Sequence, residues 1–156
     1  MTTNEEIDDA LAVRRRTTAS RAAVWNVLAD GWTYSQWVVG NSRMRAVGAD
    51  WPSPGSTIHH TIGVWPLALN DETEVEACVP TSELVLLAKG RPLGAARITL
   101  RLSDSDDGCL VEMAEVPLGG PLRVLPHRAA LATAWPRNRE CLRRLAALAE
   151  RRVEPD

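Results

Sequence analysis

Phenylalanine is absent from the sequence, tyrosine and lysine each occur once, and six tryptophans therefore carry nearly all of the aromatic surface. No apolar stretch approaches the roughly 18 residues of a membrane-spanning helix. Residues 1–9 are polar and acidic, and they lack the apolar segment of a secretory signal. We therefore expect a cytoplasmic protein without integral membrane association.

Cysteine is also scarce, and its positions argue against the usual cysteine-based frameworks. Cys78, Cys109 and Cys141 are odd in number, far apart, and show no paired metal-ligand spacing. We expect them to be reduced core residues, with no disulfide framework, no metal site and no cofactor. The sequence also lacks a nucleotide-binding glycine-rich loop and any obvious nucleophile arrangement.

The charge and length of the chain narrow the classes of partner and the number of domains. A net charge of −2 and a pI of about 5.9 give no electrostatic drive toward nucleic acid. A length of 156 residues suits one domain. We expect a frayed tail over residues 1–9 and a single domain over residues 10–153, which leaves a homodimer open.

Hydrophobic periodicity predicts the order of the elements. A strand over residues 11–18 precedes a helix at 21–29, which Ser20 caps, and a shorter helical piece at 33–38. Short runs separated by Pro, Gly, Asp and Asn then indicate an antiparallel meander. Its predicted strands are 42–47, 56–64, 72–79, 84–89, 95–103 and 109–116.

The end of the chain predicts a long amphipathic helix. Pro136 interrupts the pattern, so the main helix either starts there or is kinked there. The neighbouring charged residues, Arg137 among them, are interpreted mostly as a solvated face. The apolar stripe consists of Leu131, Ala134, Trp135, Asn138, Leu142, Leu145 and Ala149.

This order predicts an α+β fold in which a six- or seven-stranded antiparallel sheet curves around the terminal helix. A sheet of that width twists and curls, and one straight helix cannot fill its concave side completely. We therefore expect a cavity under the helix.

Residues 17–30 resemble the opening of the polyketide cyclase/dehydrase branch of the helix-grip superfamily, abbreviated SRPBCC and related to START domains. Later landmarks are similar too: the Trp32 and Trp37 pair, Pro54-Gly55-Ser56, and residues 138–145. The resemblance implies a helix-grip fold with a deep apolar pocket, used for lipids, sterols, polyketides or hormones and sometimes for cyclisation or dehydration. It carries no catalytic motif across.

The adjacent histidines, His59 and His60, are the most conspicuous candidates. Successive side chains of a strand face opposite ways, so the two imidazoles cannot serve one metal site. His60 shares its face with Ile58 and Ile62, the expected concave side. It is either an acid–base or ligand-binding group, or a hydrogen-bonded structural histidine.

Aromatic side chains supply the second set of candidates. Tyr34 and Trp37 follow the first helix, one turn apart. Trp51 and Trp65 lie near the ends of the strand that carries His60, where they could rim a pocket mouth. Ordinary core or loop packing explains these rings equally well.

The last candidates lie on the final strand and the terminal helix. Asn138 interrupts an apolar stripe, so its amide either faces the cavity or bonds to backbone or water. Trp135 lies one turn earlier and is interpreted as a core residue that also lines the site. Alternation with Val111 and Met113 turns Glu115 inward.

Two functional hypotheses follow. The first is a protein that binds a hydrophobic or aromatic small molecule, lipid- or polyketide-like, in an internal cavity, with or without cyclase or dehydratase activity through His60. The second is a non-catalytic protein-interaction or co-chaperone-like module, which an exposed apolar patch would favour.

Overall fold

The computed structural model describes residues 12–90, 94–119, 124 and 127–152. The predicted tail over residues 1–9 lies outside the described residues, and so does the side chain of Leu131.

Seven strands, three α-helices and a short 3-10 turn make up the described chain. The predicted strands correspond to the observed ones, and the largest difference is β4, which begins at Leu69 rather than at residue 72. In chain order the elements are β1 Val13–Thr17, α1 Arg21–Ala29, the 3-10 turn Gly31–Thr33, α2 Tyr34–Trp37, β2 Asn41–Val47, β3 Thr57–Ile62, β4 Leu69–Val79, β5 Glu83–Ala88, β6 Ala96–Ser105, β7 Gly108–Pro117 and α3 His127–Arg151.

The strands form one antiparallel sheet in the order β1-β7-β6-β5-β4-β3-β2. Consecutive strands from β2 to β7 are neighbours, and β1 pairs with β7 along Val13↔Met113. Short connections favour this arrangement because antiparallel neighbours need only a hairpin. The predicted α+β fold, a curved sheet with a C-terminal helix, is confirmed.

The register of the strands gives the sheet two distinct ends. Ile62 pairs with Leu69, and Ala96 pairs with both Ala88 and Pro117. The β3–β4 connection, the β5–β6 connection and the last residue of β7 therefore lie together. We refer to this end of the sheet, marked by these pairs, as the Pro117 end.

Helix α1 begins where the sequence predicts it. The Ser20 hydroxyl accepts a hydrogen bond from the Ala23 amide at 3.1 Å, which satisfies one of the free N–H groups of the first turn. Val24, Trp25, Val27 and Leu28 are the buried residues of the helix. This packing precedes and positions the short helix α2.

Helix α3 covers the sheet with the predicted stripe. Leu142, Leu145 and Ala149 are buried, and each large side chain contributes on the order of 1.5–3 kcal/mol through its removal from water. The Thr17 hydroxyl donates to the Glu150 carboxylate at 2.7 Å, which ties the last turns of α3 to the end of the sheet opposite Pro117.

Pro136 lies inside α3, which starts at His127. Of the two predicted possibilities, the one in which the main helix starts at Pro136 is therefore wrong. On the two sides of the proline, Trp135 is 46% exposed and Asn138 is buried. Among the described helices, none is long and apolar enough to cross a membrane.

Candidate functional site

A buried polar chain forms where α2 faces β3 and β4. His60 Nε2 lies 2.9 Å from the Thr73 hydroxyl oxygen, and the Tyr34 hydroxyl lies 3.4 Å from the same oxygen. His60 and Thr73 are on adjacent strands, where Asp71 is the direct partner of His60 and Thr73 is the next residue on the same face. The side chains of Tyr34, His60 and Thr73 are all buried, with 3% of Tyr34 and 2% of His60 exposed.

The aromatic rings of α2 enclose this chain. Tyr34 and Trp37 are three residues apart on the single turn of α2 and meet edge to face, with ring centroids 5.4 Å apart. The Tyr34 ring also lies 5.1 Å from the His60 ring. The one-turn helix therefore presents two rings to the inward-facing imidazole.

One nitrogen of His60 remains unsatisfied. Nδ1 is buried and has no hydrogen-bond partner among the described residues. Buried polar atoms in native proteins nearly always have a partner, in the protein or in a bound molecule. The backbone on either side of this pair is held by Arg45, whose guanidinium donates to the main-chain carbonyl oxygens of His60 and Asp71 at 3.2 and 3.0 Å.

The environment keeps the titratable members of this chain neutral. Burial raises the pKa of Tyr34 to about 12, although the hydrogen bond with Thr73 and the charge of Arg137 oppose the change. Burial lowers the pKa of His60 below its ordinary value of 6.5, and the Asp71 carboxylate opposes this. At neutral pH both rings can therefore act as neutral hydrogen-bond donors and acceptors.

A second polar group lies at the Pro117 end. The Asn138 amide nitrogen donates to Glu115 Oε2 at 3.0 Å, and the Arg137 guanidinium donates to the same carboxylate oxygen. Glu115 follows the buried Val111 and Met113 on one face of β7, so this carboxylate points inward. The positive charge of Arg137 lowers the pKa of Tyr34, and the negative charge of Glu115 raises it.

Comparison with known proteins identifies the architecture. No family model matches the sequence, and no curated protein matches it. Among solved structures, the di-domain ARO/CYC StfQ from the steffimycin biosynthetic pathway superposes with a TM-score of 0.70 at 12% identity, over 90% of this chain and 50% of that one. The chain has the helix-grip fold.

Other neighbours share this helix-grip fold at full length. Ara h 8.0201 superposes with a TM-score of 0.66 at 9% identity, over 88% of this chain and 95% of its own. Protein NE0264 from Nitrosomonas europaea gives 0.69 at 12% identity, over 90% and 93% of the two chains. At such identities the likeness establishes the fold alone.

Within the helix-grip framework, five of the predicted site residues lie in or beside these two polar groups, of which the one at Glu115 is only partly buried. Tyr34, Trp37 and His60 meet one another, and Glu115 contacts Asn138.

Two predicted tryptophans and one further candidate lie elsewhere. Trp65 is 89% exposed in the β3–β4 connection, and Trp135 is partly exposed beneath the Arg139 guanidinium, 4.6 Å from its ring centroid. Trp51 donates its indole N–H to the Leu28 carbonyl at 3.1 Å, which ties this ring to the end of α1.

The adjacent histidines face opposite sides of the sheet. His59 Nδ1 lies 3.8 Å from the Glu72 carboxylate on the outer face, whereas His60 points inward. Thr57, on the outer face with His59, is likewise only partly buried. One strand thus carries an outward and an inward imidazole.

Sequence reasoning missed two members of the site. Thr73 is not among the predicted site residues, although a hydroxyl on the buried face of a strand signals a buried hydrogen bond. Arg137 was interpreted with the solvated face of α3, but its guanidinium contacts the inward Glu115. Its position next to Asn138 was the available signal.

Proposed function

We propose that the protein binds a largely apolar, ring-containing small molecule between its sheet and α3. The buried polar chain and the partly buried group at Glu115 hold oxygen atoms of that molecule, and the rings of Tyr34 and Trp37 contact its apolar part. Such an arrangement, apolar walls with a few fixed polar atoms, is typical of small-molecule sites.

The observation that carries this proposal is the unsatisfied Nδ1 of His60. Leaving a buried polar atom without a partner costs about 1–3 kcal/mol. A bound molecule that supplies an oxygen at Nδ1 removes that cost, so the interior favours the occupied state. The name of StfQ, an ARO/CYC of a biosynthetic pathway, supports a polyketide-like ring compound as the first class of ligand to try.

The exposed tryptophans extend the proposal to the entrance. Trp65 belongs to the β3–β4 connection, which lies at the Pro117 end, and Trp135 precedes the Asn138 that contacts Glu115 at the same end. We place the mouth of the site there, with these two indoles at its rim.

Catalysis is a further step of the same proposal. A neutral imidazole can exchange a proton with a bound molecule, so His60, through Nδ1, is the residue that would carry the acid–base step of a cyclisation or dehydration. With candidate polyketide substrates, His60→Ala is expected to abolish turnover. Unchanged turnover in this variant would leave a carrier function in place of an enzymatic one.

The binding test compares the two adjacent histidines. Aromatic polyketides, lipids and sterols are titrated while tryptophan fluorescence and native mass spectra are recorded. His60→Phe is expected to weaken the compounds that bind by about three- to tenfold, the value of one hydrogen bond. His59→Phe is the matched control, on the same strand but on the outer face, and is expected to bind as the unaltered protein does.

The proposal fails if no compound of the panel binds and a crystal structure shows a solid core. Equal weakening by His59→Phe would mean that the effect reaches the ligand through the strand rather than through Nδ1.

A second candidate function rests on a different observation. Val64, Trp65, Leu67 and Leu69 are exposed apolar residues in and beside the β3–β4 connection. A patch of this kind favours a protein-interaction module. A purified stoichiometric partner that the unaltered protein binds and Trp65→Ser/Leu67→Ser does not, together with an empty interior, would decide for this function.

A further inference from the structure

Tyr34, Thr73 and His60 are linked by two hydrogen bonds, and the order of donors and acceptors along them bears on which group a ligand presents to His60. We propose that hydrogen bonds run from Tyr34 to Thr73 to His60, so that His60 carries its hydrogen on Nδ1 and the ligand presents an acceptor, such as a ketone or quinone carbonyl. This inference rests on the proposed function, because it assumes that a ligand oxygen reaches Nδ1.

The three side chains have few hydrogens to donate. Each hydroxyl has one hydrogen to donate and can accept, whereas a neutral imidazole has one N–H and one bare nitrogen. The two contacts with Thr73 allow either atom of each pair to be the donor. The directions must therefore be decided by which groups are left unsatisfied.

In the proposed direction a single group remains unmet. Tyr34 donates to the Thr73 oxygen, Thr73 donates to the bare Nε2 of His60, and only the Nδ1–H lacks a partner among the described residues. The hydroxyl hydrogens of Tyr34 and Thr73 then both have an acceptor.

The other directions each leave two groups unmet. If His60 donates to Thr73 and Thr73 donates to Tyr34, the Tyr34 hydrogen and the bare Nδ1 both lack partners within the described chain. If His60 and Tyr34 both donate to Thr73, the Thr73 hydrogen and the bare Nδ1 are left. A buried group without a hydrogen-bond partner is destabilising, so the direction that leaves one such group is favoured over those that leave two.

The chemistry of the ligand follows from the remaining donor. An Nδ1–H is satisfied by a carbonyl oxygen, which accepts and has no hydrogen of its own to place. An alcohol can also accept this bond, but its hydrogen then needs an acceptor in a buried site, which weakens its binding. With the rings of Tyr34 and Trp37 beside the imidazole, we expect an aromatic ketone or quinone in preference to the corresponding alcohol or hydrocarbon.

The direction is tested first without any ligand. Long-range ¹H–¹⁵N correlation spectra of the unaltered protein labelled with ¹⁵N-histidine report which nitrogen of each imidazole carries the hydrogen, and His60→Phe identifies the His60 signals. We expect the Nδ1–H tautomer. Thr73→Val removes the donor to Nε2 and is expected to shift His60 toward the Nε2–H tautomer, whereas Thr73→Ser keeps the hydroxyl and is expected to restore Nδ1–H. An Nε2–H tautomer in the unaltered protein overturns the inference.

The ligand class is tested with three planar probes of equal framework: fluorene, 9-fluorenone and 9-fluorenol. We expect fluorenone to bind about fivefold more tightly than fluorene, the effect of one hydrogen bond, and more tightly than fluorenol. The preference is expected to disappear in His60→Phe and to persist in His59→Phe.

The two experiments separate the possible failures. Equal affinities for fluorenone and fluorene, or a preference that survives in His60→Phe, overturn the ligand class, since a water molecule then satisfies Nδ1. If none of the three probes nor any compound of the panel binds, the proposed function fails and the ligand class fails with it, while the tautomer still decides the direction of the chain.

Discussion

At the scale of single residues, burial makes His60 a source of pH-dependent stability. Its pKa in the folded protein lies below 6.5 because burial disfavours the imidazolium; Asp71 opposes this shift, and Arg45 and His59 add to it. The unfolded chain therefore binds a proton more readily than the folded one. The stabilising contribution of the neutral ring is complete above pH 6.5 and is lost as the pH falls toward the folded-state pKa.

We expect the free energy of unfolding to decrease more steeply from pH 7.5 to pH 5 in the unaltered protein than in His60→Phe. Urea denaturation at several pH values measures this, and the variant serves as the reference because it lacks only the His60 imidazole. Parallel curves for the two proteins would show that His60 is as easily protonated in the folded state as in the unfolded state.

The two polar groups also show which contacts can be predicted from single residues and which cannot. Alternation along β3 and β7 predicts the inward direction of His60 and Glu115, because it depends only on the two-residue period of a strand. It does not predict that Thr73 lies beside His60, since this depends on the register between β3 and β4. The same limit applies to Arg137, whose partner is 22 positions away on another element.

At the scale of elements, the turn between β6 and β7 depends on a glycine. A Cβ on Gly108 would lie 2.3 Å from the Thr17 carbonyl oxygen and 2.8 Å from that of Ala19. Both are backbone atoms, at the end of β1 and two residues beyond it, so they cannot move aside as a flexible side chain could. The turn, β1 and the start of α1 are therefore packed as one corner.

Gly108→Ala is expected to destabilise the protein by about 1–3 kcal/mol, the usual effect of overpacking. Gly119→Ala is the matched control, because no described atom lies within 4 Å of the added carbon. Chemical denaturation of both variants checks this, and equal stability for the two would mean that the corner relaxes.

The helices show a similar division between what the sequence predicts and what packing decides. Ser20 and the apolar face of α1 are local signals, and α1 agrees with its prediction. The stripe of α3 predicts the buried Leu142, Leu145 and Ala149, yet it includes Trp135, which is partly exposed. Periodicity gives the inward face of a helix but not how deeply each residue of that face is buried.

At the scale of the whole molecule, the tryptophans divide into structural and peripheral ones. Trp37 is buried against Tyr34, whereas Trp65 is exposed in the β3–β4 connection. The composition does not distinguish the two indoles, and their difference in burial is seen only in the folded structure. Stability should therefore depend strongly on one and hardly at all on the other.

We expect Trp37→Ala to cost about 3–5 kcal/mol of stability, as for a large aromatic ring lost from a core. Trp65→Ala is expected to change stability by about 0.5 kcal/mol or less. Thermal and urea unfolding of the two variants measures the contrast, which a comparable loss in both would contradict.

The fold of the whole molecule was more accessible to prediction than its site. Element order, turn residues and the period of each segment all indicate a curved sheet with a terminal helix, and they agree with one another. The interior chemistry needs distances between strands that are remote in sequence.

The adjacent histidines have a consequence for how such a site is inherited. A slip of β3 by one residue would exchange the inward and outward imidazoles while leaving the composition untouched, and it would also turn the fully buried Ile58 toward water. The burial of Ile58, two positions from His60, therefore fixes which of the two histidines faces inward. A related protein that kept both histidines but had a polar residue at position 58 would lose this preference, although its histidines were unchanged.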